Sequence, residues 1–392
     1  MIHSLDQMEI KGRQVFVRLD LNVPLRNGEV QDDTRIRGAL PTIRAILEKG
    51  GRPVLASHLG RPKGKFNPAL SLEPVGAMLA ERLGKEVVLT DDCIGDGVKG
   101  VLTGQREGQI VLLENLRFHA EETANDALFA EQLKGSCTVY INDAFGALHR
   151  SHASVDGLAR LFEHRAAGLL VQRELVHLTP LREGPGRPYV VILGGAKVSD
   201  KIGVLESFLD RANSIIVGGA MAYTFLKAAG HPIGTSRCED DQLRIASRIV
   251  ERASARGIEV LLPTDHIAAP APDQDEQAIT TDGTAIPDGM MGLDVGPKTI
   301  RRFQDRLIGA KTVFWNGPLG MFEVARFAEG TNAIAKTLAS LKARTIVGGG
   351  DSAAAINAIG LANQVTHVST GGGASLEFVK GQTLPGLAAL EM

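Results

Sequence analysis

Eleven short apolar runs recur along the chain, separated by stretches of helical length, and they restrict its fold more than any other feature. In the first half they are 15–19 (VFVRL), 53–56 (PVLA), 86–90 (EVVLT), 110–113 (IVLL) and 138–141 (TVYI). In the second half they are 189–193 (YVVIL), 214–217 (SIIV), 258–262 (IEVLL), 312–315 (TVFW), 345–347 (TIV) and 366–368 (THV). Runs this short, this apolar and this rich in Val and Ile suit strands covered on both faces, as in a parallel sheet. The segments between them, such as ALPTIRAILEKG and LEPVGAMLAERLG, carry apolar residues three and four apart and end at Gly, so they read as crossover helices. The expected fold class is α/β.

With 392 residues the chain exceeds one ordinary core and suits two domains of about 200 residues each. The boundary is expected near 166–188, where AAGLLVQRELVHLTPL reads as an amphipathic helix and REGPGRP as a Gly/Pro-rich connector. An ordinary loop inside one large domain is the alternative. A formal charge of −2 carries no polycation signature, so no nucleic-acid partner is expected and any attraction for anions must be local. Cys93, Cys137 and Cys238 are odd in number and far apart, which points to a reducing compartment rather than a disulfide scaffold or zinc site. The start, MIHSLDQMEIKGRQ, lacks the charged-then-apolar pattern of an export signal, and no apolar run approaches about 18 residues. A cytoplasmic protein without a membrane partner is expected.

Ligands of open parallel sheets bind beyond the carboxyl ends of the strands. In the first half those positions hold Asp20 and Asn22, then His58 and Arg61 in SHLGRPKG, then Arg117 in ENLRF. NDAFGALHRSH follows with Asp143, His149, Arg150 and His152, and Arg35 sits in DDTRI before the first crossover helix. One such Arg is ordinarily a solvated surface charge. If these strand ends share one edge, however, four guanidinium groups converge, and their forks match the oxygens of a small, strongly anionic ligand.

The second half repeats a different device, a strand followed at once by glycines: VILGGAK, IIVGGAM, TIVGGGD and HVSTGGGAS. A single strand–GG turn is ordinarily structural. Four of them fit a nucleotide site, because glycines let backbone N–H groups approach phosphates at helix N-termini. GGAKVSDKI adds Lys197 and Lys201, on one face if a helix begins there. GGGDSAAA supplies Asp351 as a candidate Mg²⁺ anchor and Ser352 as a hydroxyl, and WNGPLGMFE places Glu323 for ribose hydroxyls. Two decoys are set aside. GDGVKG at 95–100 matches GxGxxG but lacks the strand just before it. His149 and His152 lack a third ligand nearby, so anion binding is preferred over a metal.

The blocks VRLDLNVP, DDTRI, SHLGRPKG, ENLRF, NDAFGALHRSHAS, GGAKVSDKI, GLDVGPKT, WNGPLGMFE, GGGDSAAA and STGGGASLEFVKGQTLPG resemble, in order, the signatures of the phosphoglycerate kinase family. The resemblance runs from about residue 10 to the C-terminus. It implies two Rossmann-like domains, each a parallel sheet flanked by helices, joined by a hinge helix. Residues 1–170, with the tail of about 376–392 packed back on them, would form the phosphoglycerate domain, and 171–375 the nucleotide domain. Carried over by motif, Asp20, Asn22, Arg35, His58, Leu59, Gly60, Arg61, Arg117 and Arg150 would bind 3-phosphoglycerate or 1,3-bisphosphoglycerate. Lys201, Glu323, Gly349, Gly350, Asp351 and Ser352 would bind ADP or ATP, with Asp351 near Mg²⁺ and no prosthetic group. Lys197, Arg35 and the glycines Gly371, Gly372 and Gly373 would contact the phosphoryl group in flight. GALHR stands where GTAHR is commoner, HRSHAS replaces HRAHAS, and Ser352 replaces a frequent Thr; none removes a functional group.

The implied activity is reversible transfer of an acyl phosphate to Mg-ADP by a monomeric enzyme. Both oxygens that exchange the phosphoryl group are already ionised, so no general base is required. The alternatives are a kinase for another acyl phosphate and a non-catalytic two-lobe anion-binding protein.

Overall fold

The computed structural model describes residues 1–392. It forms two compact units, Met1–Val176 with Thr383–Met392, and His177–Gln382. In the first unit the strands are β1 (Gln14–Leu19), the small hairpin β2 (Leu25–Arg26) and β3 (Glu29–Val30), β4 (Arg52–Ala56), β5 (Val87–Leu89), β6 (Ile110–Leu112), β7 (Val139–Asp143) and β8 (His164–Ala167). Six of them make one parallel sheet in the order β5-β6-β4-β1-β7-β8. Val15, Phe16, Val17 and Leu19 of central β1 are all fully buried, as two covered faces require. Each contributes about 1.5–3 kcal/mol by leaving water. The crossover helices include Thr34–Glu48 and Glu73–Leu83, the latter ended by Gly84 at φ 61°. The left-handed conformation there is the glycine stop that the sequence signals.

The helix expected at the domain boundary starts later than in the sequence reading. AAGLLVQRELVHLTPL is not helical throughout: Ala166 and Ala167 belong to β8, and the helix spans Leu169–Glu183. The break is made by Asp143, whose Oδ1 accepts from Leu170 N at 2.8 Å and Val171 N at 3.2 Å and so anchors the helix start. Gly168 makes room for it, since a Cβ there would lie 2.3 Å from Asp143 Oδ1. Two alanines carry no periodicity of their own, and pairing with β7 decides their state. The chain passes from the first unit to the second inside this helix.

The second unit contains β9 (Tyr189–Leu193), β10 (Ser214–Val217), β11 (Glu259–Leu261), β12 (His266–Ala269), β13 (Ile279–Thr280), β14 (Met291–Val295), β15 (Thr312–Asn316), β16 (Arg344–Gly348) and β17 (His367–Val368). Its main sheet is parallel in the order β11-β10-β9-β15-β16-β17. A three-stranded antiparallel sheet, β13-β12-β14, is added to it. The main core packs Val190, Ile192, Phe303, Trp315, Ile334 and Val347. The two ends of the chain meet in the first unit, where Ile2 bridges Glu391 and Leu390 is fully buried. No helix is long and apolar enough to cross a membrane.

Candidate functional site

The carboxyl ends of β1, β4, β6 and β7 share one edge of the first sheet, and the basic residues named above gather there. His58 is the reporter. Its ring is held well below the usual imidazole range, first by burial and then by the positive fields of Arg18, Arg117, Arg150 and Arg35. The same guanidinium groups act on one another: burial, Arg150 and Arg18 lower Arg117 to about 10. His152 is pushed down to about 4 by burial, Arg117, Arg18 and Arg150. Like charges this close, with Arg18 and Arg117 buried, mark a place that a bound anion would neutralise.

Local hydrogen bonds hold the loops in place. Asn115 donates through Nδ2 to Leu59 O at 2.8 Å and to Leu70 O at 2.9 Å, and its Oδ1 accepts from Leu59 N at 3.2 Å. Arg117 Nη1 donates to Gly60 O at 2.9 Å, and Asn22 Oδ1 accepts from Gly60 N at 2.8 Å. Arg35, expected before the first crossover helix, lies in the first turn of the helix Thr34–Glu48, where an ion pair with Asp20 at 2.5 Å orients it. Arg61 is exposed beside Gly60, Arg150 is half-buried, and Arg150 Nε lies 3.4 Å from His149 Nε2.

Arg18 is a further member of the cluster, beyond the residues that the strand ends mark. It is fully buried in β1, donates to Ser154 Oγ at 2.8 Å, to Leu19 O, and to His58 Nδ1 at 3.1 Å. Ser154 Oγ in turn donates to Glu122 Oε1 at 2.6 Å, and Glu122 is also fully buried. Leaving a buried charge uncompensated costs several kcal/mol, so this relay is what permits a guanidinium inside the sheet. An arginine interrupting the apolar run VFVRL was the available signal. Asn115 and Glu122 gave none, because their partners lie far away in sequence.

In the second unit the glycine turns pack backbone against backbone. Gly194 N donates to Asn316 O at 3.0 Å and Gly195 N to Pro318 O at 3.2 Å. A Cβ on Gly194 would lie 2.0 Å from Pro318 O, so no other residue fits there. A cavity of about 300 Å³ opens beside this contact, lined by Gly195, Gly219, Tyr223, Leu319, Glu323 and Asp351 among others. Asp351 and Glu323 are exposed carboxylates on this mostly apolar lining. Asp351 stands in the first turn of the helix Gly350–Ala358, behind Gly349 at φ 91°. Ser352 is buried and its Oγ accepts from Gly317 N at 2.6 Å, tying the two glycine loops together. Lys201 Nζ donates to Asn316 Oδ1. Burial lowers the Lys201 ammonium from its ordinary value, while Asp200 and Asp351 raise it. The helix Gly373–Lys380 starts behind Gly372 at φ 53°, with Gly371 N donating to Ser369 Oγ at 3.2 Å.

The expectation that Lys197 and Lys201 share a helical face does not hold. The helix begins at Ile202, and Lys201 is its cap residue. Lys197 is exposed in the preceding turn while Lys201 is half-buried. The turn Gly194–Ala196 follows the Pro318 backbone too closely to start a helix at once.

Comparison with known proteins identifies the family. The family model described as phosphoglycerate kinase matches residues 5–382. This chain belongs to the phosphoglycerate kinase family. The phosphoglycerate kinase of Anaeromyxobacter dehalogenans (strain 2CP-C) is 52% identical over 393 residues, covering 100% of this chain and 99% of that protein. That of Parasynechococcus marenigrum (strain WH8102) is 51% identical over 393 residues, covering 99% and 97%. Among solved structures, the phosphoglycerate kinase of Coxiella burnetii superposes with TM-score 0.91 at 38% identity, covering 100% of this chain and 99% of that one. The Pyrococcus horikoshii OT3 phosphoglycerate kinase gives 0.86 at 29% identity, covering 100% and 98%. The α/β class expected from the apolar runs is the class of these phosphoglycerate kinases.

Proposed function

We propose that this chain is a phosphotransferase that reversibly moves the acyl phosphate of 1,3-bisphosphoglycerate to ADP, giving 3-phosphoglycerate and ATP. The observation that carries the reading is the convergence of four guanidinium groups on His58 at one sheet edge, in a chain of this family. The first unit takes the phosphoglycerate, through Arg35, His58, Arg61, Arg117 and Arg150, with Asp20 and Asn22 holding Arg35 and Gly60. The second takes the nucleotide. The mostly apolar cavity suits a base, Glu323 suits ribose hydroxyls, and the helix starts at Gly350 and Gly373 suit phosphate oxygens.

Asp351 fits a magnesium ion shared with nucleotide phosphates, because it offers an exposed carboxylate at the cavity lining. Bound there, Mg²⁺ would supply charge neutralisation to the phosphates. The protein's own part is alignment and electrostatics. Lys197, Arg35 and the amides at Gly372 and Gly373 stabilise the equatorial oxygens, where charge spreads in the loose transition state. No side chain moves a proton, since the carboxylate and the ADP phosphate are both ionised. Water has to be kept away from the acyl phosphate, so we infer that ligand binding draws the two units together. The reading extends to a monomer, and to the cytoplasm, whose reducing conditions the three free cysteines fit.

ATP formation from 1,3-bisphosphoglycerate and Mg-ADP tests the activity, and a purified, folded chain that makes none refutes it. Small-angle scattering tests closure. The radius of gyration is expected to fall with both ligands present and less with either alone; a profile indifferent to both together rejects it.

A further inference from the structure

Outside the arginine cluster, the first unit gathers three side chains of metal-ligating type. Asp92 and Cys93 lie in the turn after β5, and His119 follows the short 3-10 turn Leu116–Phe118 beyond β6. β5 and β6 are parallel neighbours, so the loops that follow them meet at one sheet edge. A carboxylate oxygen of Asp92, Cys93 Sγ and a ring nitrogen of His119 all lie within 4.8 Å of one another. His119 Nε2 stands 2.6 Å from Asp92 Oδ1. Cys93 is 2% exposed, whereas the side chains of Asp92 and His119 are 47% and 24% exposed. The thiol therefore forms the floor, and the way in from solvent passes the carboxylate and the imidazole.

We propose that Asp92, Cys93 and His119 form a binding site for a thiophilic divalent cation of the zinc class, with water as the fourth ligand. A sulfur, nitrogen and oxygen set suits a borderline-soft ion in a tetrahedron. Bonds of about 2.3 Å to sulfur and about 2.0–2.1 Å to nitrogen put tetrahedral ligands about 3.5 Å apart. The trio must therefore close by about an ångström; Asp92 Oδ1 also accepts from Cys93 N at 2.6 Å, so the half-exposed carboxylate closes by turning its other oxygen to the ion. On binding, the hydrogen bond between Asp92 and His119 is exchanged for one bond from each to the ion. The Cys93 S–H bond breaks, the sulfur–metal bond forms, and the proton passes to water. Binding therefore releases a proton. Magnesium, a hard ion that wants oxygen ligands, does not compete here. The site sits beside the anion cluster: His119 is two residues after Arg117 and three before Glu122.

The test is titration of the intact, reduced, metal-free chain with Co²⁺, followed by the thiolate-to-cobalt charge-transfer band, and with Zn²⁺ by calorimetry. One equivalent with a sulfur band is expected. The band disappears in Cys93→Ser and persists in Cys238→Ser. Asp92→Asn and His119→Gln each weaken Co²⁺ by at least about tenfold. Circular dichroism checks that Cys93→Ser is folded; if it is not, the half-exposed Asp92→Asn decides. A wild-type chain without the band overturns the site, and leaves the Asp92–His119 pair as a brace between loops. So does a band that survives in folded Cys93→Ser, or affinity unchanged in both Asp92→Asn and His119→Gln.

Discussion

Arg18 donates through Nη2 to His58 Nδ1 across 3.1 Å, and the pairing dictates the chemistry of the imidazole. A guanidinium has no acceptor, so Nδ1 must accept and the ring proton sits on Nε2. His58 is therefore a neutral donor among arginines, in keeping with its lowered pKa. Full charge on the anion's behalf comes from the guanidinium groups alone.

Truncating those groups is thus expected to weaken one ligand selectively. Arg61→Ala and Arg150→Ala should each reduce 3-phosphoglycerate affinity by about 1.5–3 kcal/mol, the range for hydrogen bonds to charged groups. ADP affinity, measured by calorimetry on the same variants, should hardly change. Equal losses for both ligands would mean that the residues support the fold rather than the anion.

Lys197 is exposed and outside any helix, in contrast to half-buried Lys201. An ammonium beside the glycine turn does most when charge develops on the phosphoryl group. Lys197→Ala is expected to lower kcat by roughly 100-fold or more, with a smaller change in nucleotide affinity. Steady-state kinetics with a near-normal kcat would remove it from the mechanism.

Asp351→Asn is expected to raise the Mg²⁺ concentration needed for half-maximal turnover and to leave 3-phosphoglycerate binding intact. Unchanged Mg²⁺ dependence would reduce Asp351 to a helix-start residue that favours the dipole.

His266 sets a pH dependence. Burial, with a smaller contribution from His231, lowers its pKa to about 4, against the opposing pull of Asp265. The unfolded chain, near 6.5, binds this proton first, so the stability it allows is full above about 6.5 and declines as pH falls toward 4. His266→Phe keeps a ring beside Tyr223, whose centroid is 5.4 Å away, and removes the titration. By calorimetry, its Tm relative to that of the native chain should rise from pH 7 to pH 5. Parallel Tm curves would contradict this.

Gly194→Ala puts a methyl 2.0 Å from a carbonyl that cannot move aside, whereas Gly350→Ala meets nothing within 4 Å. Denaturant melts should show the first losing about 1–3 kcal/mol or more and the second staying close to native.

The strand ends were legible because their signals are local. VFVRL, YVVIL and the glycine clusters announce buried strands and tight turns without help from distant residues. What stayed hidden depends on contacts far along the chain. HRAA becomes β8 only because β7 accepts it, and the antiparallel strands HIAA and MGLDV, with their alanines, Gly and Asp, form no branched apolar run. Arg18 reads as an intrusion in a strand until Ser154 and Glu122, more than a hundred residues on, are seen to receive it. No local pattern joins the three candidate metal ligands, because Asp92 and His119 meet only in space.

The core of the first unit closes with residues that the ribosome supplies after the whole of the second. Leu387, Ala389 and Leu390 are buried there, and Gly386 lies against Leu148 at a distance that leaves no room for a side chain. A nascent chain emerging from the exit tunnel therefore carries the arginine cluster in an unsealed domain throughout synthesis of the nucleotide domain. Translation order and folding order are thereby uncoupled: the half made first is the half completed last.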